Sequence, residues 1–98
     1  MSLNEEQRAR TSQELLLNFQ LAGTSLDAVR AQLDFTAQRL DDTLNVREQS
    51  RPEDVWLLRD HLENLVRAQG HTAVPYTVLT RTARLAAAIW FPLRRPPE

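Results

Sequence analysis

The chain has only two glycines, and each follows a long stretch with helical periodicity. Before Gly23, apolar residues recur at the three- and four-residue spacing of one helix face. Before Gly70, a second such stretch opens with Pro52, which suits the first turn of a helix because its missing N–H is not needed there. Glycine often ends a helix because it adopts the left-handed conformation at little cost. We therefore predict long helices over about 4–22 and about 50–70.

Polar residues mark where each long helix begins. In the first helix, both Ser2 with Glu5 and Asn4 with Gln7 have the spacing of a capping box. In the second, Ser50 is the predicted N-cap. The stripes expected to face the core are Ser12, Leu15, Leu16, Phe19 and Ala22 in the first helix, and Val55, Leu58, Leu62, Leu65 and Val66, widened by Trp56 and Leu57, in the second.

Two shorter helices are predicted between the long ones. Ser25 and Thr36 are their N-caps, and Asn45 is the predicted left-handed stop after the second. Two helices of about eight residues joined by a turn of three or four form a helix-turn-helix unit. Helices this short are unstable alone, so both must pack on the first helix. The sequence thus predicts a small all-α fold with a helix-turn-helix core.

The last part of the chain gives weaker signals. Residues 76–79 suit either a helical turn or a short strand, and Thr80 is a candidate cap for a fifth helix over about 81–89. Residues 81–98 hold four Arg and one Glu, whereas residues 1–80 hold 8 Arg and 12 acidic residues. We expect a single domain over 1–98, with a helix-turn-helix half at 1–45, a long helix at 50–70 and a C-terminal segment at 71–98 that ends in a basic tail.

Composition argues against several classes of function. With no cysteine, the chain has no disulfide, thiolate zinc site or cysteine nucleophile. His61 and His71 do not have metal-ligand spacing, and two glycines cannot form a phosphate-binding loop. We therefore expect no catalytic residue, cofactor or metal. The apolar run 85–91 is shorter than the roughly 20 residues that span a bilayer, and the N-terminus is polar. We expect a cytoplasmic protein that does not contact a membrane.

The segment 25–45 carries apolar residues and a cap at the positions of a known motif. They are Val29, Leu33, Phe35 and Leu40, with Thr36 as the cap. In this pattern the segment resembles the helix-turn-helix of phage-repressor-like proteins. Three residues depart from the motif: Arg30 where a small residue is usual, Asp34 where glycine is usual and Thr43 where an apolar residue is usual.

A wider pattern runs along the chain. It comprises residues 1–7, Thr11-Ser12, Glu14-Leu15, Asn18-Phe19, Leu21, Asp54, residues 56–59, residues 74–77, Leu79 and the aromatic pair Trp90-Phe91. With these residues the chain resembles a small bacterial family of proteins of unknown function, roughly 100 residues long, the size of one domain. This resemblance supports the helix boundaries and implies no activity.

Double-stranded DNA is one candidate partner. The second helix of the motif presents its N-terminal side chains to the major groove, where Gln38 suits adenine and Arg39 suits guanine, next to Thr36. The predicted phosphate contacts are Arg8, Arg10 and Arg47. Residues 25–45 nevertheless hold four Asp and two Arg, and carboxylates near phosphate weaken binding. On the strength of Gln38, Arg39 and the three candidate phosphate contacts, one hypothesis is a DNA-binding transcriptional regulator.

The alternative is a non-enzymatic protein-interaction module with a degenerate helix-turn-helix. Leu85, Ile89, Trp90 and Phe91 form an apolar end on a small protein, and such patches often mark interfaces. We predict a homodimer through the fourth helix and the C-terminal segment that carries these residues. A positive surface around Thr36 to Arg39 would favour DNA, whereas a neutral or negative surface there, beside an exposed aromatic patch, would favour a protein partner.

Overall fold

Five α-helices form the regular structure in a computed structural model of the chain, which describes residues 3–90, 93, 96 and 97, and only the backbone of Arg81 and Trp90. The helices are α1 (Glu5–Leu21), α2 (Leu26–Leu33), α3 (Ala37–Leu44), α4 (Pro52–Ala68) and α5 (Arg81–Trp90). No strand occurs in these ranges, so the predicted all-α class is confirmed. No helix among the described residues is long and apolar enough to cross a membrane.

The start of α1 and the C-terminal ends of both long helices follow the predicted signals. Asn4 caps α1: its side chain accepts from the Gln7 N–H at 2.8 Å, and the Gln7 side chain accepts from the Asn4 N–H at 3.0 Å. Ser2, the other predicted cap, lies outside the described residues. Gly23 and Gly70 follow α1 and α4 with φ of 63° and 79°. These left-handed values explain why glycine stands at both positions.

The two short helices have the predicted length and connection. Each has eight residues, and Ser25 and Thr36 cap them by accepting from N–H groups three residues ahead, at 3.1 Å in both cases. Between them, Asp34 adopts the left-handed conformation, with φ 57° and ψ 44°. Aspartate tolerates this region better than most residues, which explains how the turn forms without the usual glycine.

Two local predictions after α3 are wrong. Asn45 stays in the right-handed region because its N–H and side-chain amide both bond the carbonyl oxygen of Asp41, and Val46 is the left-handed residue instead. Ser50 does not cap α4, whose N-cap is Arg51 without a side-chain bond. The Ser50 hydroxyl donates to the Arg47 carbonyl at 2.6 Å, so it closes the preceding turn.

The core is centred on α4, which packs against α1 and α3. The buried side chains of the core form one cluster, which extends from α1 to α5 and includes Tyr76 and Leu79 in the loop between α4 and α5. The largest fully buried side chains include Trp56, Leu15, Leu58, Leu62 and Leu79. Burial of these apolar side chains is the main stabilising contribution for helices that are too short to persist alone.

The buried face of α1 is more polar than predicted. Thr11, Glu14 and Asn18 lie beside Leu15 in the interior, whereas Leu16 is exposed. The reason is a non-helical segment, residues 74–77, that lies against α1 and needs hydrogen-bond partners. Asn18 donates to the Val74 carbonyl at 3.0 Å and accepts from its N–H at 2.7 Å. Residues 76–79 lie in the loop between α4 and α5 and form neither of the two predicted structures, a helical turn or a strand.

Candidate functional site

The exposed start of α3 is the surface on which DNA contacts were predicted. Thr36 and Gln38 are exposed there. The Thr36 hydroxyl is already used as the helix cap, and the Gln38 amide donates to the Asp42 carboxylate at 2.9 Å. If Gln38 contacted a base, it would therefore have to give up its hydrogen bond to Asp42, which lies one helical turn further along α3.

Arg39 is held inward by a buried carboxylate. Its guanidinium donates two hydrogen bonds to Asp54 on α4, from Nε at 2.8 Å and from a terminal nitrogen at 2.7 Å. It also lies over the Phe35 ring, 4.3 Å from the ring centre. Hydrogen bonding to Asp54 raises the pKa of the Arg39 guanidinium further above its ordinary value. The geometry is that of a bidentate structural ion pair, which fixes α3 on α4.

The predicted phosphate-binding arginines also have carboxylate partners. The pairs are Arg8 with Glu48 at 3.4 Å, Arg10 with Glu6 at 3.9 Å and Arg47 with Asp42 at 3.2 Å, and Arg47 also bonds Asp41. Exposed pairs of this kind contribute little stability and rearrange readily. Their carboxylates nevertheless offset the positive charge that would attract a phosphate backbone.

The structure gathers the predicted DNA contacts into two neighbouring depressions. Arg8 and Arg47 line one of them, and Thr36, Gln38 and Arg39 line the other. Arg10 lines neither of these depressions. Because carboxylates line both, the surface around the start of α3 is mixed in charge rather than continuously positive.

The outward face of α5 forms the second candidate surface, here called the α5 stripe and defined as Thr82, Leu85, Ala86 and Ile89. All four residues are exposed, with Leu85 at 69% and Ile89 at 78% of full exposure. Their spacing of three, four and seven residues places them on one side of the helix. None is charged. Of the four residues predicted at an apolar interface, Leu85 and Ile89 belong to the stripe, whereas the Trp90 side chain and Phe91 lie outside the described residues.

The opposite face of α5 attaches the helix to the body of the protein. Ala87 is buried, and Ala83 packs partly against the core. Arg84 bonds Asp60 on α4 and lies over the Trp56 ring, 4.9 Å from its centre. The α5 helix thus turns small residues and an arginine toward the core and its large aliphatic residues toward solvent. This orientation is the reverse of an ordinary surface helix.

Of the two histidines, His61 is buried on α4 and His71 is exposed after Gly70. The Nε2 atom of His61 lies 2.6 Å from the Gln32 side-chain oxygen, and burial lowers the pKa of His61. Within the described ranges, no group of three or more histidine, aspartate or glutamate side chains has the arrangement of a metal site. The geometry of His61 is that of a core histidine that links α4 to α2.

Sequence reasoning did not identify Asp54, Asn18 or Glu14 as organising residues. Asn18 and Glu14 lie on the same face of α1 as Leu15, so their spacing in the sequence could have indicated that they are buried. The partnership of Asp54 with Arg39 had no such signal, because the two residues lie on different helices and are 15 positions apart.

These features define a small all-α protein with a mixed-charge surface at α3 and an apolar surface at α5. The chain belongs to a bacterial family, described as "uncharacterized protein conserved in bacteria (DUF2316)", whose model matches residues 1–92. The expected membership of a bacterial family of unknown function is thereby confirmed. No curated protein and no solved structure matches the chain.

Proposed function

We propose that this protein is a non-enzymatic protein-interaction module whose binding surface is the α5 stripe. The observation that carries the proposal is the orientation of α5, which leaves Leu85 and Ile89 largely exposed while Ala83 and Ala87 face the core. Fully burying an aliphatic side chain of this size contributes roughly 1.5–3 kcal/mol. A partner that covers both residues gains this free energy without any change in the fold.

The charges around α3 support a protein partner over a nucleic acid. A DNA-binding surface needs arginines that are free to neutralise phosphates. Here Arg39 is held by Asp54, and Arg47 lies between Asp41 and Asp42. Arginines and carboxylates line this surface together, so it is not the continuously positive surface that attracts a phosphate backbone.

A capture experiment with a matched control tests this proposal. Tagged full-length chain is used to capture proteins from the source bacterium, with Leu85→Asp as the test variant and Leu26→Asp as the control. Leu26 is an exposed leucine on another helix, 52% exposed, and aspartate is favourable at the start of α2. We expect Leu85→Asp to lose the captured protein and Leu26→Asp to retain it. Equal capture by all three proteins would contradict the use of the α5 stripe.

Direct DNA binding by α3 is a second candidate function. One specific observation favours it: two eight-residue helices joined by a three-residue turn leave Gln38 exposed in the first turn of α3. In this arrangement Gln38 would contact a base, and Arg8 and Arg47 would exchange their carboxylate partners for phosphates.

Fluorescence anisotropy with duplex DNA tests this second candidate. If α3 binds DNA, affinity falls linearly on a logarithmic salt scale, and Arg47→Ala lowers the slope by about one. Arg67→Ala is the control, because Arg67 is an exposed arginine on α4 outside the predicted contacts. Gln38→Ala should remove any preference for the native upstream sequence. Absence of binding at low salt would reject the DNA function.

A further inference from the structure

We infer that the cavity between α4 and α5 binds a small polar carboxylic acid through its arginines. The inference goes beyond the proposed function, because the cavity lies on the side of α5 that carries Arg84, away from the α5 stripe. Its volume is about 490 Å³, which is within the usual range for small-molecule sites. The lining is mostly charged and consists of Arg59, Asp60, Glu63, Asn64, Arg67, Arg84 and Pro96.

The charges in this cavity are unequal. Among the side chains described there, three arginines share two carboxylates. Asp60 pairs with Arg59 at 2.9 Å and also with Arg84. Glu63 pairs with Arg59 at 3.5 Å and with Arg67 at 3.0 Å. One guanidinium charge is therefore left without a carboxylate of its own. Because a partly buried charge is costly without a counter-charge, the cavity favours a ligand with one negative charge.

Two of the three arginines are held in place by the body of the protein. The Arg59 guanidinium lies 4.6 Å from the centre of the Tyr76 ring and donates from Nε to the Leu79 carbonyl oxygen at 2.9 Å. The Arg84 guanidinium lies over the Trp56 ring, 4.9 Å from its centre. Because aromatic rings and a backbone carbonyl restrain both side chains, little side-chain entropy is lost when an anion binds them.

Arg67 differs from the other two arginines in its exposure. Its side chain is 67% exposed, against 15% for Arg59. Its carboxylate partner in the described part of the chain is Glu63, four residues earlier on α4. An exposed pair of this kind contributes little stability and rearranges readily. Arg67 can therefore turn from Glu63 to a ligand, whose carboxylate a guanidinium binds through two parallel hydrogen bonds.

The carboxylates of the cavity decide which anion fits. A carboxylate ligand has one negative charge and balances the excess guanidinium. A phosphate group has close to two, so it exceeds the available positive charge and is repelled by Asp60 and Glu63. Asn64 adds an amide that donates to or accepts from a hydroxyl group. A short hydroxy acid suits this set of groups.

An NMR titration of the full-length chain with sodium lactate tests the inference, with sodium chloride and sodium phosphate at equal ionic strength as comparisons. We expect lactate to shift the amide signals around the cavity on α4 and α5 until they saturate, and to bind more tightly than phosphate. Absence of saturation, shifts that chloride reproduces, or tighter binding of phosphate would overturn the inference.

The pair of Glu63 and Arg67 has a matched control in Glu6 and Arg10, which have the same four-residue spacing on α1. Arg67→Gln should weaken lactate binding about tenfold, because it removes a hydrogen bond from a charged group. Arg10→Gln should bind lactate like the wild type. Equal affinity of these two variants for lactate would contradict the site.

Glu63→Gln provides the opposite change. It removes a carboxylate that competes for Arg67, so the affinity for lactate should rise about threefold, a gain that a damaged fold does not produce. Glu6→Gln is its control and should leave the affinity unchanged. Lower affinity in a Glu63→Gln variant that circular dichroism shows to be folded would overturn the inference.

Discussion

Asp54 on α4 accepts both hydrogen bonds of a bidentate pair from Arg39 on α3, although Asp54 is only 2% exposed. The arginine side chain itself stays one-third exposed. A carboxylate in this position is tolerated because a cation and two hydrogen bonds replace its water. The pair thereby fixes the orientation of α3 and occupies the arginine that was predicted to contact a base.

Removing the arginine alone should destabilise the protein strongly. Arg39→Ala leaves the buried Asp54 carboxylate without a counter-charge, and we expect a loss of roughly 2–4 kcal/mol in the free energy of unfolding. This loss is smaller than that expected for a fully buried pair, because water has partial access to the Arg39 side chain. Urea denaturation measures it. Arg30→Ala is the matched control on α2, because Arg30 pairs with the exposed Asp27 at 3.7 Å and its loss should cost under about 0.5 kcal/mol.

The same pair allows a compensation test. Replacing both residues with apolar ones, as in Arg39→Met with Asp54→Leu, removes the buried charge together with its partner, so most of the stability should return. Equal stability of Arg39→Ala and Arg30→Ala would show that the pair contributes nothing.

Asn18 is expected to hold the segment after α4 in place. Asn18→Ala removes two hydrogen bonds and leaves the Val74 N–H and carbonyl without their side-chain partner, at a cost of about 2–3 kcal/mol. Asn64→Ala, at an exposed position on α4, serves as control. Amide hydrogen exchange provides the local readout: the Val74 N–H should exchange faster in Asn18→Ala. Unchanged protection of this amide would show that the segment is held by other contacts.

His61 should make the protein sensitive to mild acid. Burial lowers the pKa of His61 in the folded state, so between the folded value and the unfolded value near 6.5 the unfolded chain binds more protons. Stability is therefore retained above about pH 6.5 and falls as the pH drops below it. Thermal unfolding between pH 8 and pH 5 measures this loss. The loss should shrink in His61→Gln and persist in His71→Gln, and an identical pH profile for all three proteins would contradict the assignment.

Asp34 occupies a position that glycine would fill more easily. Its φ of 57° lies in the left-handed region, so Asp34→Gly should stabilise the protein by about 0.5–1 kcal/mol. Asp27→Gly places the same substitution in the first turn of α2, where it should destabilise by a similar amount. Chemical denaturation of both variants gives the comparison. If the two changes have the same sign, backbone conformation does not govern the turn.

Much of the local structure could be predicted because its interactions are local. The caps at Asn4, Ser25 and Thr36 each accept a hydrogen bond from an N–H three residues ahead. Gly23 and Gly70 adopt the left-handed backbone conformation, which depends only on the residue itself and its neighbours. The failure at Asn45 and Val46 has a different origin. Burial of the Val46 side chain accompanies a backbone conformation that valine alone disfavours, and no local pattern indicates this.

For the candidate surfaces, too, the sequence predicted local features but not contacts between distant residues. Sequence spacing identified Leu85 and Ile89 as part of an apolar end, but it did not show which side of α5 faces the core. It marked Arg39 as a candidate reading residue, but nothing near it in sequence indicates the carboxylate that holds it.

The helical class, the order of the helices and most of their ends can be predicted from the amino-acid sequence, since they depend on hydrogen bonds and conformations within a few residues. The three-dimensional packing of the helices turns Thr11, Glu14 and Asn18 inward, pairs Arg39 with Asp54 and leaves the α5 stripe facing solvent. These outcomes depend on burial and hydrogen bonding between residues far apart in the chain. Their free energies are set by the packing of whole helices, which no local pattern contains.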